Sequence, residues 1–301
     1  MKKNLRYITD GALIVAIYAI FLLVCRFFSN GLEESVYFIL PIPLIIYGSK
    51  YNLKDSLIVL LATIGLSFLL INPFNALFYI LPTGILGVVY PLLEKRRLPI
   101  SLQVLIVTLF YFLINLFTMV IFAHLLNYDI VEDCKSLVES FAKLFSNLNA
   151  SYLEALMISI IPSTIIITSI LDGILLIVLS KVLLYKLKLT TNIFFLNLTF
   201  ENFPRIVGFI YIIVFVLMMF STKYIPLKDN LYIFWSIILN IGIVFSFLMI
   251  YQGLFLVGKY CKVRNKKWLY ILTVISVFIF PFISIFLGLI QNIFHLSNKI
   301  F

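Results

Sequence analysis

Hydrophobic positions along this chain fall in long unbroken runs rather than in alternation with polar ones. Nine such runs cover about residues 9–28, 35–49, 54–72, 74–93, 100–126, 154–187, 206–221, 231–257 and 268–293. A run of about 20 apolar residues, wound as an α-helix, matches the ~30 Å hydrocarbon core of a bilayer. Lipid offers no partner to backbone N–H and C=O groups, so every run is predicted to be helical. A β-barrel would need strands that alternate lipid-facing and lumen-facing positions, and these runs do not. The expected fold class is therefore all-α, a polytopic transmembrane helical bundle of about nine spans. The second and seventh runs are short and read as tilted, re-entrant or thinly anchored. The sixth is long and contains Pro162, so it reads as one kinked helix.

Composition agrees. Hydrophobic residues make up 63% of the 301 and charged residues 12%, against about 25% charge in soluble domains. The formal net charge of +10 raises the question of a nucleic-acid partner, and its distribution answers it. With the N-terminus in the cytoplasm, 17 of the 23 basic residues lie in inside segments and 6 in outside ones. That split follows the positive-inside rule. The charge reads as membrane topology and not as a footprint for nucleic acid. The basic N-terminus followed by an apolar run lacks a small-residue cleavage site, so the first span is expected to stay attached.

Two hydrophilic segments stand out. Asn127–Tyr152, placed outside, repeats Cys134, Leu137, Val138, Phe141, Leu144, Phe145 and Leu148 at helical spacing. It reads as an amphipathic helix on the membrane surface, or as a lid over an outward-facing site. Residues 191–205 read as a cytoplasmic interfacial link rich in phenylalanine. They separate a six-span domain, 1–190, from a three-span region, 206–301.

Catalytic signatures are missing: no His-Glu-x-x-His pair, no phosphate-binding glycine loop, no nucleophile elbow. No enzyme activity, metal or cofactor is expected. The informative residues are polar ones inside the spans. Asp172 lies in the sixth span, where a carboxylate must face the bundle, pair, or bind something. Gly173 beside it would admit another helix at close range. Asn115 and Thr118 share a face of the fifth span, and Asn115 serves either as helix-helix glue or as a ligand contact. His124 reads as a polar tip near the outer boundary. Arg26, near the outer end of the first span, could reach Glu33, Glu34 or a ligand anion. Asp10 reads as a helix-start residue at the inner boundary, favoured by the helix dipole. Ala12 and Ala16, four apart with Gly11 and Ala19 nearby, form a small-residue face suited to tight packing, within the bundle or against a partner.

Several short motifs together resemble the YybS family of bacterial membrane proteins. They are Thr9-Asp10-Gly11-Ala12, Leu40-Pro41-Ile42-Pro43, Glu94-Lys95-Arg96-Arg97, the Phe200-to-Arg205 segment, and Tyr251-Gln252-Gly253-Leu254. The chain departs from that family after Leu287-Gly288, where Gln291 stands in a stretch that often carries an acid. The YybS group in turn is similar to the S components of energy-coupling-factor transporters. Those six-helix proteins bind a small molecule from outside and dock on a transmembrane T component driven by ATPases. The resemblance implies that residues 1–190 form an S-component-like core, with Ala12 and Ala16 on the partner-docking face and Asn115, Asp172 and Arg26 as candidate ligand-binding residues. The other readings are a membrane scaffold or regulatory factor of the cell envelope, and a proton-coupled carrier that uses Asp172.

Overall fold

The computed structural model describes residues 2–27, 37–119, 130–144, 150–190, 203–225, 232–264 and 266–296. Its helices are α1 (Lys2–Phe27), α2 (Pro41–Lys50), α3 (Leu53–Leu70), α4 (Pro73–Lys95), α5 (Ile100–Phe117) and α6 (Ile130–Leu144). They continue as α7 (Ala150–Lys186), α8 (Arg205–Tyr224), α9 (Tyr232–Val263), α10 (Lys267–Ile279) and α11 (Pro281–Phe294). A single 3-10 turn, Tyr37–Ile39, precedes α2. Among the described residues, seven helices (α1, α3, α4, α5, α7, α8 and α9) are long and apolar enough to cross a membrane, and the α10–α11 pair makes an eighth if counted as one span.

The second run is a short interior helix. α2 has 10 residues, about 15 Å at the α-helical rise, half a bilayer core. Two cores of one compact unit meet on it. Leu44 and Tyr47 join Ile14, Tyr18, Leu22, Val59 and Leu60. Ile42 and Ile45 join Leu86, Tyr90, Val107, Tyr111, Leu176 and Leu184. Gly87 makes the approach possible, since a Cβ there would lie 2.9 Å from the Pro41 carbonyl oxygen. A helix that ends inside the bilayer leaves backbone groups that need partners. The Tyr18 hydroxyl donates to the Leu40 carbonyl and the Tyr111 hydroxyl to Phe38 O at 3.2 Å. At the other end Lys95 Nζ donates to Gly48 O at 2.6 Å and Tyr51 O at 2.7 Å.

The ninth run is broken. α10 and α11 are bent by 116° at Phe280, whose φ of −135° and ψ of 69° are not helical. Pro281 causes the break. It donates no N–H, and its ring drives the preceding residue out of the α region. With 13 and 14 residues, neither half reaches across ~30 Å by itself.

α7 runs for 37 residues with Pro162 inside it. Proline removes one rung of the backbone ladder and loosens its neighbours. Asn240 of α9 fills the damaged stretch. Its Oδ1 accepts from the Ser163 N–H at 2.7 Å, and its Nδ2 donates to the Ser159 carbonyl at 2.7 Å. One side-chain amide thus stands in for a peptide group. Ser159 Oγ also pairs with the Tyr232 hydroxyl at 2.9 Å, and Ala155, Leu239 and Ile225 pack around the junction.

α9 and α11 meet backbone to backbone. A Cβ on Gly288 would lie 1.8 Å from the Met249 carbonyl oxygen, and one on Gly253 would lie 2.2 Å from that of Ser284. Only glycine permits that crossing.

Two compact units result: Met1–Asp129 with Thr168–Leu198, and Ile130–Ile167 with Thr199–Phe301. The second unit takes in Ile130–Ile167 as well as the chain from Thr199 onward. The first part of α7 belongs with the C-terminal spans because Asn240, Tyr232 and Leu239 hold it there. α1 also starts earlier than expected. It begins at Lys2, so Asp10 lies two turns inside the helix and is not its first residue.

Asn240→Ala should lower the unfolding midpoint in detergent by the equivalent of about 1–2 kcal/mol, from two buried backbone groups losing their partner. Gly288→Ala should cost more, because backbone must move. Thermal unfolding followed by circular dichroism checks both, and equal midpoints for wild type and Asn240→Ala would count against the clamp.

Candidate functional site

Asp172 is held from three directions. α7 carries it on the face that also buries Ser169, Gly173, Leu176 and Ser180. Gly173 brings α5 in close, since a Cβ there would lie 3.2 Å from the Thr108 N and Cα. That approach sets Asn115 of α5 beside the Ser169 hydroxyl, with Nδ2 to Oγ at 2.9 Å. The 3-10 turn ahead of α2 then delivers Tyr37. Its hydroxyl lies on the Asp172 carboxyl group and 3.0 Å from Asn115 Oδ1.

Tyr37 sits among rings. Tyr111 meets it edge-on with centroids 5.7 Å apart, and Tyr79 lies 6.2 Å away at a tilt. Tyr79 and Tyr111 are buried, whereas Tyr37, Asn115 and Asp172 are half-buried. The cluster is thus polar inside a hydrocarbon-spanning bundle and still partly accessible.

One phenolic hydrogen cannot serve two oxygens fully. Two proton arrangements satisfy every member. A neutral Asp172 donates to Tyr37, which donates to the Asn115 carbonyl. An ionised Asp172 accepts from Tyr37, whose oxygen takes an N–H from the Asn115 amide after a half-turn, while Ser169 donates to the amide oxygen. Both charge states of the carboxyl group therefore fit the same heavy atoms.

Arg26 is elsewhere. It is exposed, and Nη1 lies 3.4 Å from the Leu70 carbonyl. Glu33 and Glu34, its expected partners, lie outside the described residues, as does His124. Thr118 donates back to Ile114 O at 2.8 Å and does not join the cluster. Asp10 accepts from the Tyr51 hydroxyl at 2.7 Å and from Lys50 Nζ at 3.3 Å, tying α1 to the end of α2. Ala12 and Ala16 are exposed. The bundle-facing side of α1 is instead Gly11, Ile14, Tyr18, Leu22 and Cys25. Of the hydrophilic segments, α6 is helical, with Val138 buried and Leu137 exposed. Residues 127–129, 145–149 and 191–202 lie outside the described residues.

A second polar seam was legible only as a motif. Gln252, Ser284 and Asn292 are fully buried along α9 and α11. Among the described residues the Gln252 amide, Ser284 Oγ and Asn292 Oδ1 have no hydrogen-bond partner, while Asn292 Nδ2 donates to Phe203 O at 3.1 Å. Gln291, also fully buried, is on the same helix.

Residues 16–290 match a family described as "Predicted membrane protein (DUF2232)". The chain belongs to the DUF2232 family. The chain is also similar to the "Uncharacterized protein YybS" of Bacillus subtilis (strain 168), 24% identical over 99% of both chains. The resemblance to the YybS family is thereby established along nearly the whole length. No solved structure matches. Membership in DUF2232, together with the apolar helices, makes this a multi-pass integral membrane protein.

Tyr37→Phe should disturb the cluster more than its neighbours do, because it strips one partner from Asp172 and one from Asn115 at once. The expected loss is about 1–3 kcal/mol, read as a lower thermal midpoint that an added Asp172→Asn does not lower further by the same amount. Additive losses would separate the two residues.

Proposed function

We propose that this protein is a small-molecule-binding membrane component, non-enzymatic, similar in role to an S component of an energy-coupling-factor transporter. The observation that carries the reading is the Tyr37–Asn115–Asp172 cluster. A carboxyl group inside a spanning helix is costly and marks a binding or transfer site by default. Here it is organised by side chains from three separate elements and is only half-buried. A purely structural polar group commits its hydrogen bonds to neighbouring backbone, as Asn240 does.

The docking half of the proposal rests on α1. Ala12 and Ala16 lie on a helix face that the chain's own packing leaves uncovered, and small residues let a second helix approach closely. A transmembrane T component with its ATPases is the proposed partner. We place the N-terminus in the cytoplasm of a bacterial cell, where the positive-inside rule puts Lys2, Lys3, Arg6 and the Lys259–Lys267 group. The same basic group supports a second reading. Lys262, Arg264 and Lys266 are exposed and would suit anionic lipid or a cytosolic protein in a scaffold or regulatory factor.

Ala12→Leu with Ala16→Leu should abolish co-purification of the T component while leaving the thermal midpoint of the isolated chain unchanged, because neither side chain is packed internally. Undiminished recovery of the complex argues against docking through α1. Native mass spectrometry of the wild type after gentle extraction separates the two readings: a bound small molecule supports the first, a stable protein complex without one the second.

A further inference from the structure

We infer that the Tyr37–Asn115–Asp172 site takes an organic cation, a small molecule carrying an alkylammonium group. The inference rests on the binding role proposed above and adds the chemistry of what binds.

The charge comes first. Asp172 is the acidic member of the cluster, and among the described residues no Lys or Arg nitrogen comes within 4.0 Å of it. An anionic ligand would meet a like charge in a medium where charge interactions are weakly screened. A neutral ligand would leave an ionised carboxylate uncompensated. A cation does neither, and the ionised arrangement of the Tyr37–Asn115–Ser169 chain is available to receive it.

The rings come second. Tyr79 and Tyr111 lie 6.2 and 5.7 Å from the ring of Tyr37, the partner of Asp172. Ring faces carry negative potential and attract cations of low charge density, quaternary and alkyl ammonium above all. A divalent metal would need more charged oxygen ligands, and among the described residues no three His, Cys, Asp or Glu side chains gather to hold a metal. Tyrosine hydroxyl oxygens can still accept from N–H groups of a primary ammonium.

The test uses the full chain in lipid nanodiscs and isothermal titration calorimetry. The probes are choline, ethylammonium, acetate, and the uncharged isostere of choline in which a tert-butyl group replaces trimethylammonium. At least one cationic probe should bind, and the isostere and acetate should not. Asp172→Asn should weaken that binding about 30-fold or more, as for loss of one partner in a desolvated charge pair. Tyr79→Leu, which leaves the carboxyl group in place, should weaken it roughly 3–30-fold. Thermal midpoints of both variants establish that they are folded, and if one is not, the other decides.

Absence of binding by both cations overturns the inference, as does a neutral isostere that binds as tightly as choline, or unchanged affinity in Asp172→Asn. Native mass spectrometry keeps the two levels apart. A neutral or anionic molecule retained by wild type and lost in Tyr37→Phe sinks the cation and preserves the binding role. No retained molecule and no probe binding sinks both.

Discussion

The constraint on which this structure turns is the need of a helix too short to cross a bilayer to find partners for its ends. α2 has ten residues and is buried on both sides. Its flanking carbonyls are met by Tyr18, Tyr111 and Lys95, from three different helices. Those bonds fix where α1, α4 and α5 stand around it. They also fix the turn ahead of α2, and with it Tyr37. The candidate site thus follows from how α2 begins: the turn that leads into it is the one that carries a phenol to Asp172.

Polar groups inside the spans serve in two ways. Asn240 is spent on structure. Its amide oxygen and nitrogen are both committed to the backbone of α7, and its Nδ2 also donates to Ser236 of its own helix at 2.8 Å. Nothing is left over for a ligand. The Asp172 cluster is different in kind, because its members can share protons in two ways that suit either charge state of the carboxyl group. A bilayer makes idle polar groups costly, and Asn240 meets that constraint by committing both ends of its amide to backbone.

Much of this was legible in the sequence, and the failures have physical reasons. The apolar runs gave the helices, because length and hydropathy are the conditions for spanning. Asp172 and Gly173 stood out because a carboxylate and a missing side chain are conspicuous in a Leu-Ile-Val run. Tyr37 did not. A tyrosine near the start of an apolar run reads as an interface anchor, and only the 3-10 turn reveals where its hydroxyl goes. Asn240 was hidden for the same reason, although Pro162 announced that some group would have to mend α7. The break at Pro281 was overridden by length, since 26 apolar residues suit one crossing so well. The grouping of Ile130–Ile167 with the C-terminal spans has no sequence signal of its own, because a hydrophilic link says nothing about which helix a long span leans on.

The repair of α7 has a consequence for how the protein is made. Ser163 and Asn240 are 77 residues apart in the chain. At a synthesis rate of about 5–20 residues per second, α7 leaves the ribosome roughly 4–15 s before its mending amide exists. During that interval the disrupted rung beside Pro162 has to be tolerated in the translocation channel, at the membrane surface, or with a borrowed water. The order of manufacture therefore makes α9 the element that licenses the final placement of a helix begun some eighty residues earlier.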